Sequence, residues 1–166
     1  LSIRRQRQMC IRDRPYRKGN TGIEFVTSLD SGKPGPHVMI NAITHGNEIC
    51  GAIALDYLFK ANVRPMRGKL TLAFVNHLAY SNFDPKNPGP SRFVDEDFNR
   101  VWVEERLEGL EITAELRRAR ELRPVFDSVD LLLDIHSMGT YSKPLMICNG
   151  LELSLIHISE PTRRRG

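Results

Sequence analysis

Three short stretches concentrate reactive side chains. In 41-NAITHGNEICG-51 an apolar run ends in His45, with Glu48 three residues on. The stretch 91-SRFVDEDFNR-100 sets Arg92, Asn99 and Arg100 among acids. In 134-DIHS-137, His136 follows Asp134 by two residues. An imidazole and a carboxylate on one short rigid turn make a good pair of metal ligands. Two His and one carboxylate, with one coordination position left for water, form a catalytic zinc set. His136 is the natural third ligand, though 91 residues separate it from His45. Gly46 leaves the turn uncrowded, and the first turn of a following helix is expected to bring Glu48 back beside His45.

Each stretch also has a plainer reading. HxxE is a short pattern, met equally by a turn histidine and an acid favoured at a helix N-terminus. Asp134 serves as well for a strand-end cap as for a carboxylate that orients the site. Arg92 suits oxyanion stabilisation and bidentate carboxylate recognition. It suits equally a solvated pair with Asp95 or Asp97. His37 and His77 read as ordinary strand-edge residues. Cys50 and Cys148 read as small buried hydrophobes.

The elements around these stretches are legible from periodicity. Residues 30–36 (DSGKPGP) read as a turn, and 37–43 (HVMINAI) as a buried strand. Asn47 is placed to cap a helix reaching Ala61, with Ile49, Ala52, Ile53, Leu55 and Leu58 at helical spacing. A second strand covers 69–76. The stretch 77–100 holds three Pro and reads as a long functional loop. A helix is expected over 104–122, ended by Pro124. A third strand covers 129–135, and 144–148 (PLMIC) offers a fourth. The pattern is α/β, with a mixed, largely parallel sheet and flanking helices. Ligands gather at the carboxyl ends of such strands, where His45 and His136 both fall.

The 166 residues are 40% hydrophobic and 27% charged, which fits one domain with a real core and excludes general disorder. No run approaches the roughly 20 apolar residues of a membrane helix. The three cysteines have no paired spacing, so neither a CxxC site nor a disulfide framework is expected. The net charge of +4 hints at an anionic partner, but residues 1–14 carry +4, residues 153–166 carry +2, and residues 15–152 carry −2. Both ends resemble translated sequencing adapters. ATG-TGT-ATA-AGA-GAC encodes Met9 to Asp13, and its reverse complement, one base out of frame, encodes Ser154 to His157. The expected organisation is therefore adapter-derived ends at 1–14 and 153–166, with part of a catalytic domain over 15–152.

THGNE, RFVDEDFNR and LLLDIHS, in this order and spacing, resemble the succinylglutamate desuccinylase/aspartoacylase family, which is related to the zinc carboxypeptidases. The resemblance covers most of residues 37 to 140. It implies a zinc-carboxypeptidase-like fold, truncated here before a C-terminal β-rich part. It implies one Zn2+ per chain, bound by His45, Glu48 and His136. It assigns Asn99 and Arg100 to the substrate carboxylate and Arg92 to the oxyanion at the scissile carbonyl. The implied reaction is hydrolysis of the amide, or an ester, of a small N-acyl amino acid by metal-activated water. The partner is then that small molecule, with no nucleic acid and no membrane, and the default compartment is the cytoplasm. The family's general base is a Glu well downstream of the last metal His. Only Glu152 and Glu160 follow His136, neither in a matching context, so the chain is expected to bind metal but hydrolyse poorly. Two other readings stand beside this one. One is a zinc carboxypeptidase acting on peptides. The other is a non-catalytic metal- or nucleic-acid-binding domain, against which the −2 charge of residues 15–152 argues.

Overall fold

A computed structural model of the chain describes residues 14–139 and Lys143. Strands β1 (Val26–Asp30), β2 (His37–Ala42), β3 (Lys69–Phe74) and β4 (Leu131–Ile135) form one sheet in the order β1-β3-β2-β4. β1 runs antiparallel to β3, and β2 lies parallel to both β3 and β4. The helices are α1 (Cys50–Lys60), α2 (His77–Ser81), α3 (Glu104–Glu108) and α4 (Ala114–Phe126). The α/β class, with a mixed, mostly parallel sheet, is therefore observed. The 144–148 stretch and Cys148 lie outside the described residues.

The middle of the sheet is covered on both faces, and the sequence shows why; the edge strand β4 leaves Leu131, Leu132 and Leu133 exposed. β3 is buried at every position after Lys69, and a continuous apolar run is what a strand between two layers requires. On one face Ala52 and Leu55 of α1 pack with Ala42, Leu72 and Phe74. On the other, Leu116, Ala119 and Leu122 of α4 pack with Met39, Ala73 and Val75. Their spacing of three places them on one stripe of the helix. Arg118 lies beside that stripe and is buried, yet each of its three nitrogens donates a hydrogen bond. Its Nε donates to Val75 O at 2.9 Å and its Nη2 to Glu24 O at 2.8 Å.

Several expectations are corrected. β1 was not foreseen: VTSLD is short and polar, and its register is set by β3 rather than by its own pattern. The single helix over 104–122 is two helices. Gly109 closes α3, and the Thr113 hydroxyl caps α4 by accepting from Leu116 N at 3.0 Å. Pro124 does not end α4, which runs on to Phe126. A proline so near the C-terminus removes only one late hydrogen bond. Asn47 caps nothing: the cap position of α1 is Ile49, and the Asn47 Oδ1 is buried without a partner. Ile53 faces outward at 44% exposure. The loop over 77–100 contains α2 and two 3-10 turns, Gly89–Ser91 and Phe98–Arg100. His77 opens α2 instead of edging a strand. It sits against Phe25, and burial pushes its pKa down to about 4. Cys50 is exposed, not buried.

Leu116 is fully buried between α4 and the sheet, whereas Ile53 is not. Leu116→Ala is expected to destabilise the chain by about 2–5 kcal/mol through transfer and cavity terms. Ile53→Ala should change stability by no more than about 0.5 kcal/mol, as outward-facing substitutions do. Urea unfolding of the two variants checks the difference, and equal losses would contradict this packing.

Candidate metal centre

β2 and β4 run parallel with Ala42 opposite Ile135, so their carboxyl ends finish side by side. His45 leaves the first end and His136 the second. Ile43 adopts φ +53°, a left-handed conformation that a β-branched residue enters at a cost of about 1–2 kcal/mol. Backbone bonds from Val75 N to Ala42 O and Asn76 N to Ile43 O clamp it on both sides. The bend turns Thr44 and His45 inward, to 3% exposure each. Glu48 comes back beside His45 through a turn, not a helix: its N–H donates to His45 O at 3.0 Å, and α1 starts only at Cys50. Gly46 is needed for a different reason than an open turn. A Cβ there would stand 2.3 Å from Ser91 O and 2.4 Å from the Ala79 carbonyl carbon. The turn is pressed directly against α2 and the loop that carries Arg92.

The structure brings His45, Glu48 and His136 together, with one donor atom from each within 4.8 Å of the others. His45 Nδ1 is 2.8 Å from Glu48 Oε1, and His136 Nδ1 is 2.9 Å from Glu48 Oε2. Each imidazole has a carboxylate behind its other nitrogen. Asp134 Oδ2 lies 2.7 Å from His136 Nε2, and Asp97 Oδ1 lies 3.2 Å from His45 Nε2. Thr44 donates to Asp134 Oδ1 at 2.7 Å. With a carboxylate at Nε2, each imidazole can release the Nδ1 proton it shares with Glu48 and turn that nitrogen to a cation. Two imidazole nitrogens and one carboxylate suit a divalent transition metal. Among the described residues, these three form the cluster fit for one.

Asp134 thus contacts both the histidine and a neighbouring hydroxyl, beyond the duty of a strand cap. The part of Asp97 was missed. The sequence offered it only as an ion-pair partner of Arg92, and that contact exists too, Nη2 to Oδ2 at 3.3 Å. Arg92 also donates to Glu48 Oε1 at 3.1 Å and lies 3.0 Å from His45 Nε2. It therefore stands over the ligand cluster. Asn99 and Arg100 occupy the following 3-10 turn and are exposed. His37 stands apart from the cluster, its Nε2 2.7 Å from Thr71 Oγ1 and its Nδ1 3.0 Å from Ser128 O. A cleft of about 840 Å³ lined by His37, Lys69 and Asp130 lies at the amino ends of β2 and β3, away from the cluster. Its polar groups bind one another, as when Asp130 Oδ2 accepts from His37 N at 2.7 Å.

Comparison with known proteins gives a family and a fold. The family model described as succinylglutamate desuccinylase/aspartoacylase catalytic domain matches residues 34–154, and the chain belongs to that family. The fold is similar to a succinylglutamate desuccinylase from Chromobacterium violaceum, with TM-score 0.54 and 20% identity over 69% of this chain and 37% of that one. A putative succinylglutamate desuccinylase/aspartoacylase from Shewanella frigidimarina NCIMB 400 gives TM-score 0.55 and 19% identity over 68% of this chain and 41% of that one. The chain spans about two-fifths of the length of these solved structures. No curated protein sequence matches it significantly. Among the described residues, no helix is long and apolar enough to cross a membrane.

The cluster titrates from both sides in the metal-free protein. For Glu48, burial favours the neutral acid, but hydrogen bonds from His136, His45 and the Ser137 N–H hold it well below the usual carboxylate range. Bonds to Asp134 and Glu48 push His136 from 6.5 up to about 10, against burial. A raised histidine pKa stabilises fully below about 6.5 and loses that contribution as pH climbs through about 10. A lowered carboxylate pKa stabilises fully above about 4.5 and loses it as pH falls. In chelator-treated protein the contribution of this pair is therefore greatest between about pH 4.5 and 6.5, a window in which His77, lowered from 6.5 to about 4, already costs stability as pH falls. The stability advantage of wild type over His136→Asn should shrink from pH 7 to 10. Melting curves across that range test it, and an advantage constant to pH 10 would contradict the assigned contacts.

Proposed function

We propose that the chain carries the metal-binding part of a zinc-dependent hydrolase that cleaves the amide, or an ester, of a small N-acyl amino acid with a free carboxylate. The observation that carries this reading is the convergence of three donor atoms, with a carboxylate behind each imidazole, at the ends of two adjacent parallel strands. Family membership and the printed names of the two similar structures support the reaction class. His45, Glu48 and His136 would hold a zinc ion, which would supply Lewis acidity and an activated water.

The remaining work falls to the chain's own residues. Asp134 accepts the Nε2 proton of His136, and Asp97 is placed to accept that of His45 when Arg92 turns its Nη2 from that nitrogen to the substrate, so that both Nδ1 atoms become available. Arg92, already over the cluster, offers its guanidinium to the charge that develops on the scissile carbonyl oxygen. Asn99 and Arg100, exposed on the same loop, take the substrate carboxylate by amide and guanidinium donors. Among the described residues, the carboxylates at the cluster are Glu48, Asp97 and Asp134, and each is engaged in orienting or binding. The role of general base goes to a residue outside this group.

Calorimetric titration with zinc tests the ligand set. His45→Ala and His136→Ala should each weaken zinc binding by more than about 100-fold, beyond the usual effect of an outer partner. Unchanged affinity in either variant would sink the site. Asp134→Asn should weaken it by about 10–100-fold, because the carboxamide no longer selects the tautomer. For the substrate, zinc-loaded protein should bind N-succinylglutamate or N-acetylaspartate, and not the same compounds with their carboxylates amidated. Equal binding of both sets would remove the carboxylate from the reading.

A further inference from the structure

Glu115 is the second residue of α4 and has no exposed surface. Its carboxylate faces four donors. Oε1 accepts from Val94 N at 2.7 Å and from Asn76 Nδ2 at 3.1 Å. Oε2 accepts from Asp95 N at 3.0 Å and Glu96 N at 3.3 Å. Three consecutive backbone N–H groups thus converge on one buried anion, the arrangement of an anion nest filled by the protein's own side chain. Asn76 joins the group from the end of β3, where its Oδ1 also accepts from Ala79 N at 3.3 Å and caps α2.

Burying a carboxylate is costly, and an apolar residue would hold a helix to a sheet at least as well. The charge is explained by what it satisfies, since without it three loop N–H groups would face the interior unpaired. The clamped residues, Val94 to Glu96, form the middle of the loop. Arg92 lies two residues before them; Asp97 follows immediately, and then Asn99 and Arg100. Neighbouring contacts fasten the same seam. Ala114 N donates to Asp95 Oδ2 at 2.7 Å, and Thr113 Oγ1 donates to Glu96 Oε1 at 2.7 Å.

We propose that Glu115 is a positioning residue: it holds the loop so that Arg92, Asn99 and Arg100 face the substrate, while Asp97 is seated beside His45 by its own bond from Asn99 N. This rests on the functional reading given above. Glu115 itself touches neither metal nor substrate. It acts through the three amides, so its loss should separate ligand binding from metal binding. A merely structural role would move both together.

Glu115→Gln keeps the shape but presents an amide donor to the N–H groups of Asp95 and Glu96. Wild type and variant are titrated with zinc alone, then, zinc-loaded, with N-succinylglutamate and N-acetylaspartate. Amide hydrogen exchange is followed in parallel. Zinc affinity should stay within about 3-fold, while affinity for the acyl amino acid falls by about 10-fold or more as buried donors lose their acceptor. Exchange at residues 94–96 should quicken by about 10-fold or more, with β2 and β3 amides unchanged. Unaltered exchange in the loop, unaltered ligand affinity, or parallel loss of zinc and ligand binding each overturns the proposal. If Glu115→Gln does not fold, Asp95→Ala decides. It removes the neighbouring bond to Ala114 N and should weaken ligand binding in the same direction, by about 3-fold; no change overturns the proposal. If zinc-loaded wild type binds neither compound, the substrate reading falls, and loop exchange alone decides the role of Glu115.

Discussion

The site depends on one carboxylate. Glu48 Oε1 meets His45 Nδ1 and Arg92 Nη1, and its Oε2 meets His136 Nδ1 and accepts from Ser137 N at 2.9 Å. Three separate stretches of chain, the exit of β2, the exit of β4 and the loop before the 3-10 turn Phe98–Arg100, are thereby tied to a single side chain. Taking that group out of water favours its neutral form, and the donors around it reverse the balance. A cation at this position would meet two imidazole nitrogens and a carboxylate already aimed at one point.

Sheet geometry makes the convergence possible. Parallel pairing of β2 with β4 brings His45 and His136 to adjacent strand ends, although α1, β3 and three further helices lie between them in the chain. The cost of the sharp exit at Ile43 is borne where the backbone is bonded on either side to the residues after β3. Local strain at a functional turn is tolerated when the surroundings over-determine it. Gly46 then lets the turn, α2 and the Arg92 loop approach to distances no side chain would allow.

Around the cluster lies a second rank of acids, each facing a different task. Asp134 and Asp97 stand behind the imidazoles, and Glu115 gathers the loop amides. Buried or half-buried charges cost several kcal/mol each unless they are paired and hydrogen-bonded. Every one of these acids has at least two partners. The same rule covers Arg118, whose donors close the carbonyls of Phe74, Val75 and Glu24.

Much of this was present in the residues themselves. The apolar runs of β2, β3 and β4 and the stripe of α1 follow from local periodicity. His45, Glu48, His136 and Asp134 are candidates because of where strands run out, and Arg92 because of the charged loop motif 91–100 that carries it. Other features were not legible. VTSLD becomes a strand only because β3 offers it an edge. The helical pattern over 104–122 divides at Gly109 and Thr113, where a cap and a break override propensity. Asp97 and Glu115 read as ordinary charges on a loop and a helix, and only the packing of α4 against the loop turns them into partners of buried donors. Sequence determined residue type and local period, because both depend on neighbours within a few positions. Tertiary structure decided which groups 20 to 90 residues apart share a hydrogen bond, because strand register and layer packing set those distances.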